Sequence, residues 1–399
     1  MALGGGLLLA VLASGASAQG PISRQVVNRE VAALTQLGRA LFSDPALSAS
    51  GKLACASCHD PAHGFGPAGK AAVMLGGKDV RQPGVRAVPS LKYLQATPQF
   101  SEHYYESDEE GDASVDNGPT GGLTWDGRVD RGRDQARLPL LSPFEMANAD
   151  SGAVVAAAKK SPEAAALRRV VGSDDTAQLF ATIVQAFEAY EQSDKDFYPY
   201  SSNYDAYLAG KAVLAPAEAR GLALFNDPAK GNCAHCHKST RDNEGGPPQF
   251  TDYGFVALGV PRNPAIPANA DPNYYDLGLC GPQRADLTDH SDYCGMFKAP
   301  SLRNVALRHV FFHNGVFHTL RQAVEFYATR DTDPAKWYPR GADGKIEKFN
   351  DLPPQYWDNV NVEPPFDRHP GDPPALNDRE IDDIVAFLGT LTDGYRGGK

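Results

Sequence analysis

The chain has 399 residues, long enough for two domains with cores of their own. A hydrophobic share of 42% and a charged share of 22% are those of a folded globular protein, and they exclude a disordered or low-complexity chain. The formal net charge of -11 excludes the basic surface that nucleic acid requires and favours a basic protein partner.

Residues 1–18 carry an apolar run from Leu7 to Leu12 and then Ala16-Ser17-Ala18. An apolar stretch followed by small-x-small predicts a signal peptide cleaved after Ala18, hence export to the periplasm. The run is too short and too glycine-rich to span a bilayer, and no later segment approaches that length, so no membrane span is expected in the mature chain. Next, Val31, Leu34, Leu37 and Leu41 recur at helical spacing, and Asp44-Pro45 ends that helix.

Then comes Cys55-Ala56-Ser57-Cys58-His59, the attachment signature of a c-type haem. Each thiol of such a motif adds to one porphyrin vinyl group, and the adjacent histidine is presented to the iron. Free or disulfide-bonded cysteines beside an incidental histidine are the alternative reading. Residues 106–116 are acidic and without periodicity; they read as solvated surface or as a docking site for a basic electron donor. Thr176 to Glu191 predicts a helix, with Leu179, Ile183, Ala186, Phe187 and Tyr190 on one stripe. Residues 192–211 turn polar and tyrosine-rich, which places a domain boundary between 195 and 196.

The second half repeats the first. Gly38-Arg39-Ala40-Leu41-Phe42-Ser43-Asp44-Pro45 returns as Gly221-Leu222-Ala223-Leu224-Phe225-Asn226-Asp227-Pro228. It is again followed by an attachment motif, Cys233-Ala234-His235-Cys236-His237. His235, inside that motif, is expected to be exposed. Cys280 and Cys294 remain, and in an oxidising compartment a disulfide is their expected fate, worth about 3 kcal/mol for a loop of that length. A closing helix is predicted over Asp378 to Leu391, with Asn377 as N-cap and Ile381, Ile384, Val385 and Leu388 facing inward. Strand-like alternation is scarce. The expected fold is therefore mainly α: two cytochrome c-like domains, residues 19–195 and 196–399, each binding one covalently attached c-type haem. Cys55, Cys58, Cys233 and Cys236 are the expected attachment points, with His59 and His237 as iron ligands.

Further motifs give a specific resemblance. Trp125-Asp126-Gly127-Arg128, Pro143-Phe144-Glu145-Met146, Phe297-Lys298-Ala299-Pro300-Ser301-Leu302-Arg303-Asn304 and Phe312-His313-Asn314-Gly315 are similar to motifs of the bacterial di-haem cytochrome c peroxidase and MauG superfamily. The resemblance implies an N-terminal haem that reacts with hydrogen peroxide and a C-terminal haem that relays or stores electrons. It implies that Trp125 lies between them, that Glu145 is the catalytic carboxylate, and that Gln135 and Pro139 shape access to the peroxide site. A carboxylate in that position takes a proton from one peroxide oxygen and returns it to the other.

This chain also departs from the family. Many members carry a distal histidine upstream of the tryptophan, but Val73 to Arg86 contains none; Asp79 falls near the position, and His63 and His103 are the nearest alternatives. An open sixth site at the first haem is therefore expected. The position of the second haem's distal ligand, Met or Tyr in the family, falls on Tyr327, with Met296 as the alternative. The family's calcium site loses its asparagine to Ala87, and one of its carbonyl positions falls on Arg308, whose guanidinium could replace the ion; a tight calcium site is not expected. The surface tryptophan that MauG places before its second motif is Gly231 here. The implied function is peroxide reduction to water with electrons from a small c-type cytochrome or a cupredoxin. The alternatives are MauG-like oxidation of a protein or organic substrate through a high-valent iron state, and non-enzymatic electron carriage. A homodimer is compatible with the sequence.

Overall fold

The computed structural model describes residues 24–104, 116–242 and 245–397. The expected signal peptide, and nearly all of the acidic 106–116 stretch, lie outside the described residues. In chain order the elements are α1 (Arg24–Phe42), α2 (Cys55–Cys58), β1 (Leu75–Gly76), β2 (Gln82–Pro83), α3 (Gly132–Leu141), α4 (Ser151–Ala158), α5 (Ala164–Val171) and α6 (Thr176–Glu191). They continue with α7 (Asp194–Phe197), α8 (Asn203–Leu208), α9 (Pro216–Asn226), β3 (Phe255–Val256), β4 (Phe297–Lys298), α10 (Leu320–Thr329) and α11 (Asp378–Gly389). The strands form two short antiparallel ladders, β1 with β2 and β3 with β4, so helices and ordered loops carry the fold.

The helices form where apolar periodicity and caps coincide. In α6 the five stripe residues are all buried, and Asp175 caps the first turn by accepting from the Gln178 amide. In α11 Asn377 accepts from the Glu380 amide while the Glu380 carboxylate accepts from the Asn377 amide, a reciprocal capping box. Two expectations need correcting. Only the C-terminal end of α1 is buried: Leu37 and Leu41 pack inward, but Val31 is 51% exposed. In α11 the deepest apolar residue absent from the expected stripe is Phe387, which is fully buried, while Val385 is only half-buried.

Two apolar clusters organise the interior. One is built from Leu37 to Phe197 around α1, α3, α4 and α6. The other runs from Tyr204 to Leu391 around α9, α10 and α11. The polar 192–211 stretch is itself structured, because Phe197 and Tyr204 each insert into one of these clusters.

The sequence repeat has an atomic counterpart. Gly38 brings α1 against α6 so closely that a Cβ there would lie 1.8 Å from the Ala186 carbonyl oxygen. Gly221 does the same between α9 and α11, with the Asp383 carbonyl oxygen at 1.9 Å. Only glycine lets the two backbones meet at those points. The Cys280–Cys294 disulfide forms as expected, with Cα atoms 5.0 Å apart, and its loop carries a third, small cluster of Leu279, Leu287 and Tyr293.

The halves meet along a seam of long-range pairings. The Ala87 amide donates to the His313 carbonyl at 2.7 Å, and the Lys298 amide to the Trp125 carbonyl at 2.9 Å. Arg86 reaches Asp126 and Asp276 at 2.6 Å each. Lys92, Tyr93 and Asn304 all converge on Asp393, at 2.6, 2.6 and 2.8 Å. Among the described residues no helix is long and apolar enough to cross a membrane.

Candidate functional site

Cys55 and Cys58 stand on the single turn of α2, and Cys233 and Cys236 on an equivalent tight turn. All four are free thiols, although the two members of each motif are only three residues apart. Burial pushes them upward, Cys55, Cys233 and Cys236 to about 12 and Cys58 to about 11, which favours the neutral thiol over the thiolate. Each motif is closed by a histidine held in the same way. His59 Nδ1 lies 3.0 Å from the Phe65 carbonyl, and His237 Nδ1 lies 2.9 Å from the Phe250 carbonyl. Phe65 and Phe250 both take a left-handed conformation, φ 54° and 55°, which turns those carbonyls onto the rings. Bonding at Nδ1 fixes the tautomer and leaves Nε2 available to ligate a metal. Burial also lowers both histidines, His59 to about 4, against the opposing pull of those carbonyls, so the rings are neutral.

A cavity of about 290 Å³ is lined by residues of both halves, among them the second motif but not Cys55, Cys58 or His59. His237, Cys233, Cys236 and Tyr327 line one part; Trp125 and Gln135 line another. His235 points outward, 63% exposed. Trp125 is 9% exposed and its Nε1 donates to the Ala87 carbonyl at 2.8 Å. Asp126, next to it, is fully buried between Arg86, Arg128 and Thr124. Burial alone would raise that carboxyl, but the two guanidinium charges overcome it and hold it at about 2.

Glu145 does not line this cavity but lies close enough to the first motif to act electrostatically on both Cys55 and Cys58. Its position is set by the β1–β2 hairpin, where the Gly77 amide donates to the Glu145 carbonyl at 2.8 Å. The surrounding protein pushes the carboxyl upward, against a Ser142 hydrogen bond and the Arg128 charge. The side chain retains solvent-exposed surface, so water moderates that push. A second carboxyl, Glu191 at the end of α6, also acts on Cys55; burial raises it to about 8. The sequence offered no signal for it beyond its place at a helix end.

Of the alternatives weighed for the missing histidine, His63 lines the cavity with one ring nitrogen paired, and His103 lies at the surface. His63 Nδ1 is 2.9 Å from Asp60, and His103 pairs with Asp116 at the surface at 2.5 Å. Asp79 is exposed in the β1–β2 turn. Met296 packs against the small cluster of the disulfide loop, whereas Tyr327 lines the cavity beside Cys233 and Cys236. Gly231 has no room for a side chain, since a Cβ would lie 2.8 Å from the Leu224 carbonyl and 3.1 Å from Cys233 Sγ. Trp337 is separated from Tyr327 by one ring, Phe326, with centroid steps of 6.4 and 5.6 Å.

Sequence reasoning missed one cavity residue outright. His313 stacks on Phe297 at 3.5 Å between centroids, and its Nε2 is buried without a hydrogen-bond partner. Burial lowers the ring to about 3, so it is neutral. The motif containing it was visible, but nothing in a single sequence distinguishes a packed histidine from an unsatisfied one. An orphaned polar atom in the wall of a cavity, with free thiols and preset imidazoles around it, fits a large cofactor that has its own polar edge.

A mainly helical chain with two such thiol-and-imidazole sites has the architecture of a di-haem c-type protein. Comparisons with known proteins agree. Residues 32–213 match the family model for di-haem cytochrome c peroxidase. The methylamine utilization protein MauG of Paracoccus denitrificans (strain Pd 1222) is 34% identical over 377 residues, covering 90% of this chain and 89% of that protein. The cytochrome c551 peroxidase of Nitrosomonas europaea is 28% identical over 308 residues, covering 75% of this chain and 74% of its own. The crystal structure of the diheme peroxidase BthA from Burkholderia thailandensis E264 superposes with a TM-score of 0.79 at 42% identity, over 90% of this chain and 86% of that one. The chain belongs to the di-haem cytochrome c peroxidase and MauG family, whose members are oxidoreductases.

Proposed function

We propose that this protein is an exported di-haem peroxidase that reduces hydrogen peroxide to water, taking two electrons and two protons per peroxide from a small c-type cytochrome or cupredoxin and the solvent. One haem is held by Cys55, Cys58 and His59, the other by Cys233, Cys236 and His237, with Tyr327 as a further ligand at the second. Bound haem supplies the redox chemistry. The protein's residues supply proton handling, orientation and the route between the sites.

The observation that carries the reading is Glu145. Its carboxyl is close to the first motif, and the surrounding protein pushes it upward. A carboxylate in that setting accepts the proton of one peroxide oxygen and returns it to the other as the O–O bond breaks, so one oxygen leaves as water; the two donor electrons and two solvent protons convert the other oxygen to the second water. Gln135, in the cavity wall, shapes access to the peroxide site. Trp125, hydrogen-bonded across the seam, bridges the two sites. Peroxide consumption by the holoprotein with a reduced donor tests the reading. Glu145→Gln should keep both haems and lose turnover by about 10²- to 10⁴-fold, the usual worth of a general acid–base group. Unchanged turnover would remove Glu145 from the mechanism.

A second reading, MauG-like oxidation of a protein or organic substrate, is favoured by Tyr327 at the second site and by the 34% identity to MauG. Peroxide-driven modification of such a substrate, with no turnover of a small donor, would select it.

A further inference from the structure

Several arginines along the seam and in the C-terminal half are matched to acids. Arg86 pairs with Asp126 and Asp276, Arg262 with Asp351, Arg303 with Asp205, and Arg330 with Asp331. Arg308 is different. Its Nε donates to the Val310 carbonyl at 3.3 Å and its Nη2 to the Val88 carbonyl at 3.0 Å. No carboxylate among the described residues pairs with it. Nη1 packs against Gly66, where a Cβ would lie at 3.4 Å. The guanidinium lines the cavity, and its charge acts on His59.

A guanidinium removed from bulk water and left without an anion is costly; such charges are retained when something pairs with them. Two carbonyls fix this one from opposite halves of the chain, and no acid among the described residues takes up its remaining donors. The planar fork of arginine matches a carboxylate in two-point geometry, and it stays charged at any working pH. The described protein residues bring no carboxylate to it. The porphyrin of the proposed function does, because its ring edge carries two propionates.

We propose that Arg308 is the carboxylate-binding cation of the cavity. It receives a propionate of the haem at the His59 site and, as a fixed positive charge there, favours the reduced iron and holds that site's reduction potential up. It is a positioning and tuning residue, not a catalytic one. The proposal rests on the di-haem reading, and it makes a bound metal cation unnecessary at the same place.

The test is spectroelectrochemical titration of the holoprotein with haem content measured in parallel. In Arg308→Gln the potential of the His59-site haem should fall, with a smaller change at the other haem and two haems retained per chain. Arg308→Lys, which keeps the charge without the fork, should recover most of the fall. Arg308→Met, which keeps the aliphatic stem, should fall as Gln does and serves if the Gln variant does not accumulate. A wild-type potential in Arg308→Gln or Arg308→Met overturns the proposal. So does a wild-type potential that falls on calcium chelation, since a bound ion would then hold the role. A wild-type protein with fewer than two haems sinks the di-haem reading instead.

Discussion

Tyr327 stands between two roles, iron ligand and packed core residue. It stands on α10 with its ring 5.9 Å from that of Phe312 and 5.4 Å from that of Phe366, among aromatic neighbours that would suit a packed core residue equally well. What distinguishes the two roles is the iron. A phenolate stabilises the oxidised metal, so as a ligand it would set the second haem apart from the first, while a packing residue would leave no spectral trace. Tyr327→Phe is expected to change the absorption and electron paramagnetic resonance spectra of one haem, with the first haem untouched. Identical spectra would return Tyr327 to the core. At this scale the sequence was most legible where chemistry demands fixed spacing, as in the two attachment motifs. It was least legible where a residue's role depends on what it lacks. Arg308 and His313 are ordinary letters until their missing partners are counted in three dimensions.

The duplicated helix pairs are the elements on which both sites rest. In each, the helix that leads into the attachment motif crosses the closing helix at a glycine whose α-hydrogen faces a carbonyl oxygen. Gly221→Ala would place a methyl group 1.9 Å from the Asp383 oxygen, so α9 and α11 must separate. The expected cost is about 3 kcal/mol, read from thermal unfolding of the holoprotein, because the displaced contact is backbone and cannot rotate away. A change within about 0.5 kcal/mol would show that the crossing is looser than this. The helices themselves were readable because apolar period and caps agree locally in α6 and α11. The β1–β2 hairpin was not. Its ladder is two residues long, and its value lies in clasping the Glu145 segment, a contact that local pattern does not encode.

At the scale of the molecule, the seam decides how the halves respond to acid. Asp126 is fully buried and held at about 2, well below the ordinary aspartate value of 3.8. Because the folded value is depressed, its contribution is present above the unfolded value, near pH 4, and is lost as pH falls toward 2. The shift corresponds to about 2–3 kcal/mol. Asp126→Asn is therefore expected to lower stability at neutral pH by about 3 kcal/mol and to flatten the pH dependence between 4 and 2. Denaturant midpoints across that range check it, and a variant that keeps the wild-type slope would place the acid sensitivity elsewhere. None of this was visible in the sequence, since Arg86 and Asp276 are separated by 190 positions.

Trp125 belongs to no helix or strand. Its indole is tied to the Ala87 carbonyl, its own carbonyl receives the Lys298 amide, and the next residue's carbonyl receives Arg284 from the bridged loop at 2.9 Å. Each tie is local to neither end of the chain. Two of those ties, from Lys298 and Arg284, come from the C-terminal half, so the surroundings of Trp125 are complete only after both halves have docked. If Trp125 bridges the two sites as proposed, that route is a product of final assembly and is absent from a half-assembled chain.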